Sequence, residues 1–219
     1  MWRQQLIGVA AVGAWLVLVT LLAVAVRRRW PQQKELSRKL VHIGCGPVVL
    51  IAWALGVDRW LALPAAAAVT LLALLNHRLQ LLPAIEDVGR PSYGTVAYGG
   101  AITLLLALFW PQRPAAAAAG VLVMALGDGA AGLVGPLLAS PSWRVLGQRR
   151  SLAGTLAMAL ASLVALGLVR AMAGGAGPPL PLLLLIGAGG VALEQLGWFG
   201  LDNLTVPLAV GLLWDRFTP

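Results

Sequence analysis

Charged side chains are scarce in this chain. They make up 11% of the residues, where a soluble domain of this length carries about a quarter. A chain of this kind must turn its apolar surface toward lipid. Cysteine is nearly absent too: Cys45 stands alone, so no disulfide can form within the chain. Neither Lys34 nor Lys39 follows a glycine-rich loop, which excludes a Walker-type phosphate loop. No second histidine lies near His42 at zinc spacing, and there is no G-x-S-x-G and no Cys-x-x-Cys. Structural zinc, α/β-hydrolase and thiol-redox chemistries therefore have no support. The net charge is +8, yet no nucleic-acid motif accompanies it. The basic residues speak for membrane orientation and anionic ligands, with no nucleic acid among the partners.

What the chain has in quantity is hydrocarbon: 59% of residues are hydrophobic and the mean hydropathy is +0.85. About 20 apolar residues span a bilayer as a helix. On that measure the expected spans are 6–26, 40–57, 60–75, 95–110, 115–134, 151–172, 180–198 and 204–214, the last short enough to be re-entrant. The first run is too long for the apolar region of a signal peptide. Arg27-Arg28-Arg29 follows it in place of a cleavage site, so it reads as a retained helix with a stop-transfer flank. The expected architecture is all-α: a polytopic integral membrane protein with seven or eight transmembrane helices in one bundle, residues 1–219 forming a single domain. The alanine-rich stretches 65–68 and 115–119 read as tightly packed helix faces.

If the segments alternate across the bilayer, one side receives Arg27, Arg28, Arg29, Lys34, Arg38, Lys39, Arg78, Arg90, Arg144, Arg149 and Arg150. The other receives Arg3, Arg59, Arg113, Arg170 and Arg216. The richer side is expected to face the cytoplasm. Every polar cluster then falls on that side, whereas a transporter more often places its polar residues near the midplane.

Five clusters carry candidate chemistry. In Lys34–Gly44, a helix would bring Arg38, Lys39 and His42 to one face. There they could grip phosphates, with His42 a hydrogen-bond donor or proton acceptor; Lys34 is accounted for as a positive flank. In Glu86–Thr95, Arg90 precedes a helix that Ser92 or Thr95 would cap, a ready anion site. Gly127-Asp128-Gly129-Ala130-Ala131-Gly132 matches the dinucleotide pattern G-x-G-x-x-G in letters only, since it lies in apolar sequence with no preceding strand. Read as a helix, it sets Gly132 and Gly135 on the side of Asp128, whose lone carboxylate suits Mg²⁺ and phosphates. In Gly147–Thr155, the forks of Arg149 and Arg150 match phosphate oxygens. Ser151, Gly154 and Thr155 open a helix whose N–H groups could bind an anion. In the last cluster, Glu194 has no local partner, while Asp202 and Asn203 could cap the next helix with Pro207 inside it.

Taken in order, Arg38–Ile43, Arg90–Thr95, Gly127–Gly132 with Gly135, Arg150–Thr155, and Glu194 with Asp202–Pro207 resemble the motifs of the polyprenol kinase family. That family includes phytol kinase and dolichol kinase and is distantly similar to phosphatidate cytidylyltransferase. The resemblance runs from about residue 38 to 207. It implies transfer of the γ-phosphoryl group of CTP, or another NTP, to an isoprenoid alcohol such as phytol, geranylgeraniol or farnesol. It further implies that Asp128 holds Mg²⁺ with Glu194 or Asp202 as a second ligand. Arg38, Lys39, Arg90, Gly132, Arg149, Arg150, Ser151, Gly154, Thr155 and Asn203 would bind the nucleotide. The catalytic set would be Asp128, His42 and Glu194, the alcohol proton passing to His42 or an acid. At the fourth motif the family's usual Lys-Ser-x-Glu-Gly-Thr becomes Arg150-Ser151-Leu152-Ala153-Gly154-Thr155: the charge is kept and the acid is lost. Membrane lipid is an expected partner and a homodimer is open. The site is expected in a bacterial inner membrane, or a thylakoid or plastid membrane, facing the cytoplasm. The alternatives are a CDP-lipid-forming cytidylyltransferase, a small-solute transporter, or an inactive relative.

Overall fold

The computed structural model describes residues 2–82 and 93–219. The chain runs α1 (Trp2–Arg29), α2 (Lys34–Ala54), α3 (Arg59–Leu79), α4 (Gly94–Phe109) and α5 (Pro114–Leu122). A π-helical turn (Val123–Asp128) leads into α6 (Gly129–Leu137), then a hairpin of β1 (Ser142–Val145) and β2 (Gln148–Ser151), then α7 (Leu152–Met172), α8 (Leu180–Gln195) and α9 (Asp202–Phe217). The fold is all-α apart from this hairpin, which the sequence reading did not anticipate. Its strands meet at Leu146-Gly147, whose φ values of 48° and 79° give the turn that suits a two-residue hairpin.

Among the described residues, five helical rods are long and apolar enough to cross a membrane: α1, α2, α3, the continuous Pro114–Leu137 rod and α7. The helices α4 and α8 are apolar and shorter. Each expected span overlaps one of these helices or α9. The charged stretch Lys34–Lys39 is not a flank outside α2 but its first two turns.

The Pro114–Leu137 rod is the axis of the bundle. Ala116 to Ala125 is buried without interruption, and small side chains let neighbours approach to backbone distance. A Cβ on Gly120 would overlap the carbonyl of Pro207 in α9, and one on Gly46 in α2 would lie 2.7 Å from Ala125. The stretch 115–119 is therefore the packed face expected. The stretch 65–68 is not: Ala65, Ala67 and Ala68 lie on the outer wall, and only Ala66 packs against the core. Alanine is as compatible with lipid as with a helix neighbour, so composition alone could not separate the two.

Helices α1 to α4 and α7 to α9 alternate in direction about this rod. One end of the bundle gathers the end of α1, the start of α2, the end of α6, the hairpin and the α8–α9 connection. Tyr93, just before α4, ties that element to the same end, its N–H donating to the Phe199 carbonyl at 3.1 Å.

Candidate active site

At this end a cavity of about 860 Å³ opens between α2, α6, the hairpin, the start of α7 and the α8–α9 connection. Its polar walls come from separate helices because each places its charged residues in the turn nearest this end.

The π turn sets the first group. A single π turn within an α-helix recurs at functional sites because it frees carbonyls and re-aims side chains. Here it ends on Asp128, which is buried. Lys39 of α2 donates from Nζ to Asp128 Oδ2 at 2.5 Å and to the Asp128 carbonyl at 3.0 Å. Its stem needs room: a Cβ on Gly132 would overlap Lys39 Cε. His42, one turn further along α2, lies with Nε2 3.1 Å from the Met124 carbonyl and 3.2 Å from Asp128 Oδ2. Both partners accept, so Nε2 carries the proton. The His42 ring stacks on Tyr98, centroids 4.4 Å apart, and is not part of the cavity wall. His42 thus reaches Asp128 and not the open space.

The second group comes from the hairpin and α8. Arg150 pairs through Nη1 with Glu194 Oε1, and Nη2 donates to the Glu194 carbonyl at 2.6 Å. Gln195 Nε2 donates to the other oxygen, Glu194 Oε2, at 3.0 Å and to Thr155 Oγ1 at 3.2 Å. Asn203 Nδ2 donates to the Gly200 carbonyl at 3.3 Å and to Asp202 Oδ1 at 3.5 Å. Arg38 lines the same cavity and donates to Glu35 Oε2 through Nε at 2.9 Å. Arg149, also on the wall, is exposed.

Asp128, Glu194 and Asp202 come from three different elements, yet an oxygen of each lies within 4.8 Å of the others. Among the described residues, Lys39 and Arg150 are the cations paired with them. Three carboxylates this close repel unless cations stand between them. Both Glu194 oxygens are held, Oε1 by Arg150 and Oε2 by Gln195. Asn203 Oδ1 is buried with no partner among the described residues. Turning that amide over would set its oxygen against two acceptors, so the network fixes its orientation. Hard oxygen donors gathered this closely fit a divalent cation of the magnesium kind.

Several expectations change. The start of α7 does not offer free N–H groups: Leu152 donates to the Pro141 carbonyl, Ala153 to Ser140 Oγ and Gly154 to Ser151 Oγ. Ser151 and Gly154 line the cavity as wall, with their helix end already capped. Gly135 and Gly154 serve the close crossing of α6 on α7, since a Cβ on either would lie 3.5 Å from the other's Cα. Thr95 is not the cap of α4; Tyr93 holds that position without a side-chain bond. Asp202 and Asn203 likewise lie inside α9, after Leu201. Arg90, with Glu86, Asp87 and Ser92, lies outside the described residues. Ala153, where the family's acid is missing, is not on the cavity wall. Glu35 and Gln195 are the site residues the sequence reading passed over. Glu35 had a legible signal in its i,i+3 spacing to Arg38, whereas the carbonyl of Met124 had none.

No family model matches the chain, and no solved structure matches it. Among curated proteins, a phytol kinase from Synechocystis sp. is 40% identical over 213 residues, covering 94% of this chain and 90% of that protein. Identity at this level runs across nearly the whole of both chains. The chain belongs to the polyprenol kinase family, membrane phosphotransferases with an alcohol acceptor.

Proposed function

We propose that this chain transfers the γ-phosphoryl group of CTP to the hydroxyl of phytol or a similar short prenol, in a cavity facing the cytoplasm. The observation that carries this reading is the meeting of Asp128, Glu194 and Asp202 beside Lys39 and Arg150 in one cavity at one end of an apolar bundle. An isoprenoid alcohol is dissolved in the bilayer and a nucleotide in water, so a boundary site of mixed charge is where the two can meet. The ten described basic residues of the richer set support a cytoplasmic orientation. A transporter reading fits less well, since its polar residues would lie near the midplane.

Phosphoryl transfer asks mainly for positioning and charge neutralisation. Asp128 and Asp202, whose carboxylates lie within 4.8 Å of each other, would hold Mg²⁺. When bound, the ion would offset the charge that builds during transfer. Arg38, Lys39 and Arg150 clamp the phosphates, with Arg149 exposed at the cavity mouth. His42 is a positioning residue: its Nε2–H holds Asp128 Oδ2. Glu194 takes the alcohol proton at Oε2, where its partner is the neutral Gln195 amide. The apolar wall of Ala131, Pro136, Leu137 and Leu138 receives the first isoprene units of the chain.

The test is a panel of labelled nucleotides and prenols with the purified protein in lipid nanodiscs. Release of CDP with label in a prenyl monophosphate is the expected result. Release of pyrophosphate with a CDP-lipid would instead establish the cytidylyltransferase reading, and nucleotide-independent flux across sealed vesicles the transporter.

A further inference from the structure

The hairpin carries three arginines, and among the described residues only Arg150 is paired with an acid of the site. Register pairs Trp143 with Arg150 and Arg144 with Arg149. Side chains alternate along each strand, so Arg150 turns inward to Glu194 on one face while Arg144 and Arg149 share the other. Directly opposed side chains lie within about 5.5 Å at Cβ, and like charges there are destabilising. Both are exposed, and neither has a carboxylate partner or hydrogen-bond acceptor among the described residues. Two adjacent guanidiniums without an acid are a receptor for an anion.

The same hairpin exposes apolar surface where a water-facing loop would be polar. Leu146 at its tip is 59% exposed and adopts a φ of 48°, a left-handed backbone position that favours glycine or asparagine. Leu137 and Leu138, at the base, are 79% and 57% exposed. The hairpin joins Leu137, the end of one membrane-spanning rod, to Leu152, the start of another. Its strands of four residues reach about 13 Å, so it stays within the headgroup layer. Apolar tips beside arginines are the composition of segments that lie in a membrane interface.

We propose that the β1–β2 hairpin docks on the anionic headgroups of the surrounding bilayer, Arg144 and Arg149 taking lipid phosphates while Leu146 enters the acyl boundary. Arg149 and Gln148 also line the cavity mouth, so the docked hairpin sets the width of the opening next to the lipid from which the alcohol arrives. This surface does not depend on which alcohol or nucleotide the site uses.

The experiment places an environment-sensitive fluorophore at Leu146→Cys in the full-length protein, with unsubstituted protein reporting the background from the half-buried Cys45. Nanodiscs of phosphatidylcholine alone are compared with nanodiscs containing phosphatidylglycerol, both carrying doxyl-lipid quenchers near the headgroup. Quenching is expected to rise with phosphatidylglycerol and fall with salt. Arg144→Gln should lower the docked-to-free ratio about fivefold, the weight of one basic residue at an anionic surface, and Arg144→Lys should recover most of it. Phosphorylation measured at saturating alcohol checks that Arg144→Gln still folds. Equal quenching in both nanodiscs would overturn the proposal. So would a response to free CTP in neutral nanodiscs with none to phosphatidylglycerol, which would give the arginine pair to the nucleotide.

Discussion

The two ends of the bundle handle polar groups in opposite ways. At the end away from the cavity several polar side chains bond across to other elements. Gln5 donates to the Gly56 carbonyl at 2.8 Å and accepts from the Asp58 N–H at 2.8 Å. Trp110 Nε1 donates to the Val57 carbonyl at 2.8 Å, Arg59 to the Ala107 carbonyl at 2.8 Å, and Arg113 pairs with Asp215 at 2.5 Å. These bonds stitch connections together and leave no space. At the cavity end, Arg150 Nε, Gln195 Oε1 and Asn203 Oδ1 are buried without partners among the described residues. Three acids crowd a cavity there, and a side-chain cation such as Arg149 is left exposed. Buried polar atoms are normally satisfied. A cluster of exceptions around an open volume is therefore the signature of a site that completes itself with a ligand, and the far end shows what the same chain does where no ligand is needed.

This contrast can be broken by substitution. Asp128→Ala should abolish phosphorylation, a loss of about 10³-fold or more on the scale of removing a principal electrostatic contact, while the protein still inserts and elutes as the wild type does. Arg150→Ala should come next. It leaves Glu194 buried without its cation, which costs about 3–5 kcal/mol for a buried pair, so thermal unfolding in detergent should fall by several degrees and the KM for nucleotide should rise. Arg150→Lys should recover charge and part of the affinity, but not the fork that also holds the Glu194 carbonyl. Gly132→Ala sharpens the comparison further. Its Cβ would displace only the flexible end of Lys39, so the fold should hold while nucleotide affinity drops about tenfold in a binding titration. The smallest effect belongs to the far end. Asp215→Asn removes a half-exposed pair worth about 0–1 kcal/mol, and turnover should stay within about twofold of wild type.

The bundle was legible because hydrocarbon length is written directly into composition: the eight apolar runs each became helix. The site residues were legible for a related reason. An isolated Asp128 or Glu194 in such sequence demands a partner, and the partners are the cations the motifs named, Lys39 and Arg150. What the sequence could not convey was how those partners divide. Spacing put Arg38, Lys39 and His42 on one face, but only the packing of α2 on the π turn sends Lys39 and His42 to Asp128 and leaves Arg38 on Glu35. The capped start of α7 was hidden too, because Ser140 reaches Ala153 across a hairpin that no periodicity announced. Strands of four residues with two opposed arginines carry too little pattern to read as strand.

The central claim is that Asp128 and Asp202 hold a divalent cation beside Glu194. Mn²⁺ binding followed by electron paramagnetic resonance tests it directly, in wild-type protein and in Asp128→Asn and Asp202→Asn. One Mn²⁺ per chain in the wild type, displaced by Mg²⁺ and weakened at least tenfold by either substitution alone, is the predicted result. Unchanged Mn²⁺ binding in both variants would contradict the account.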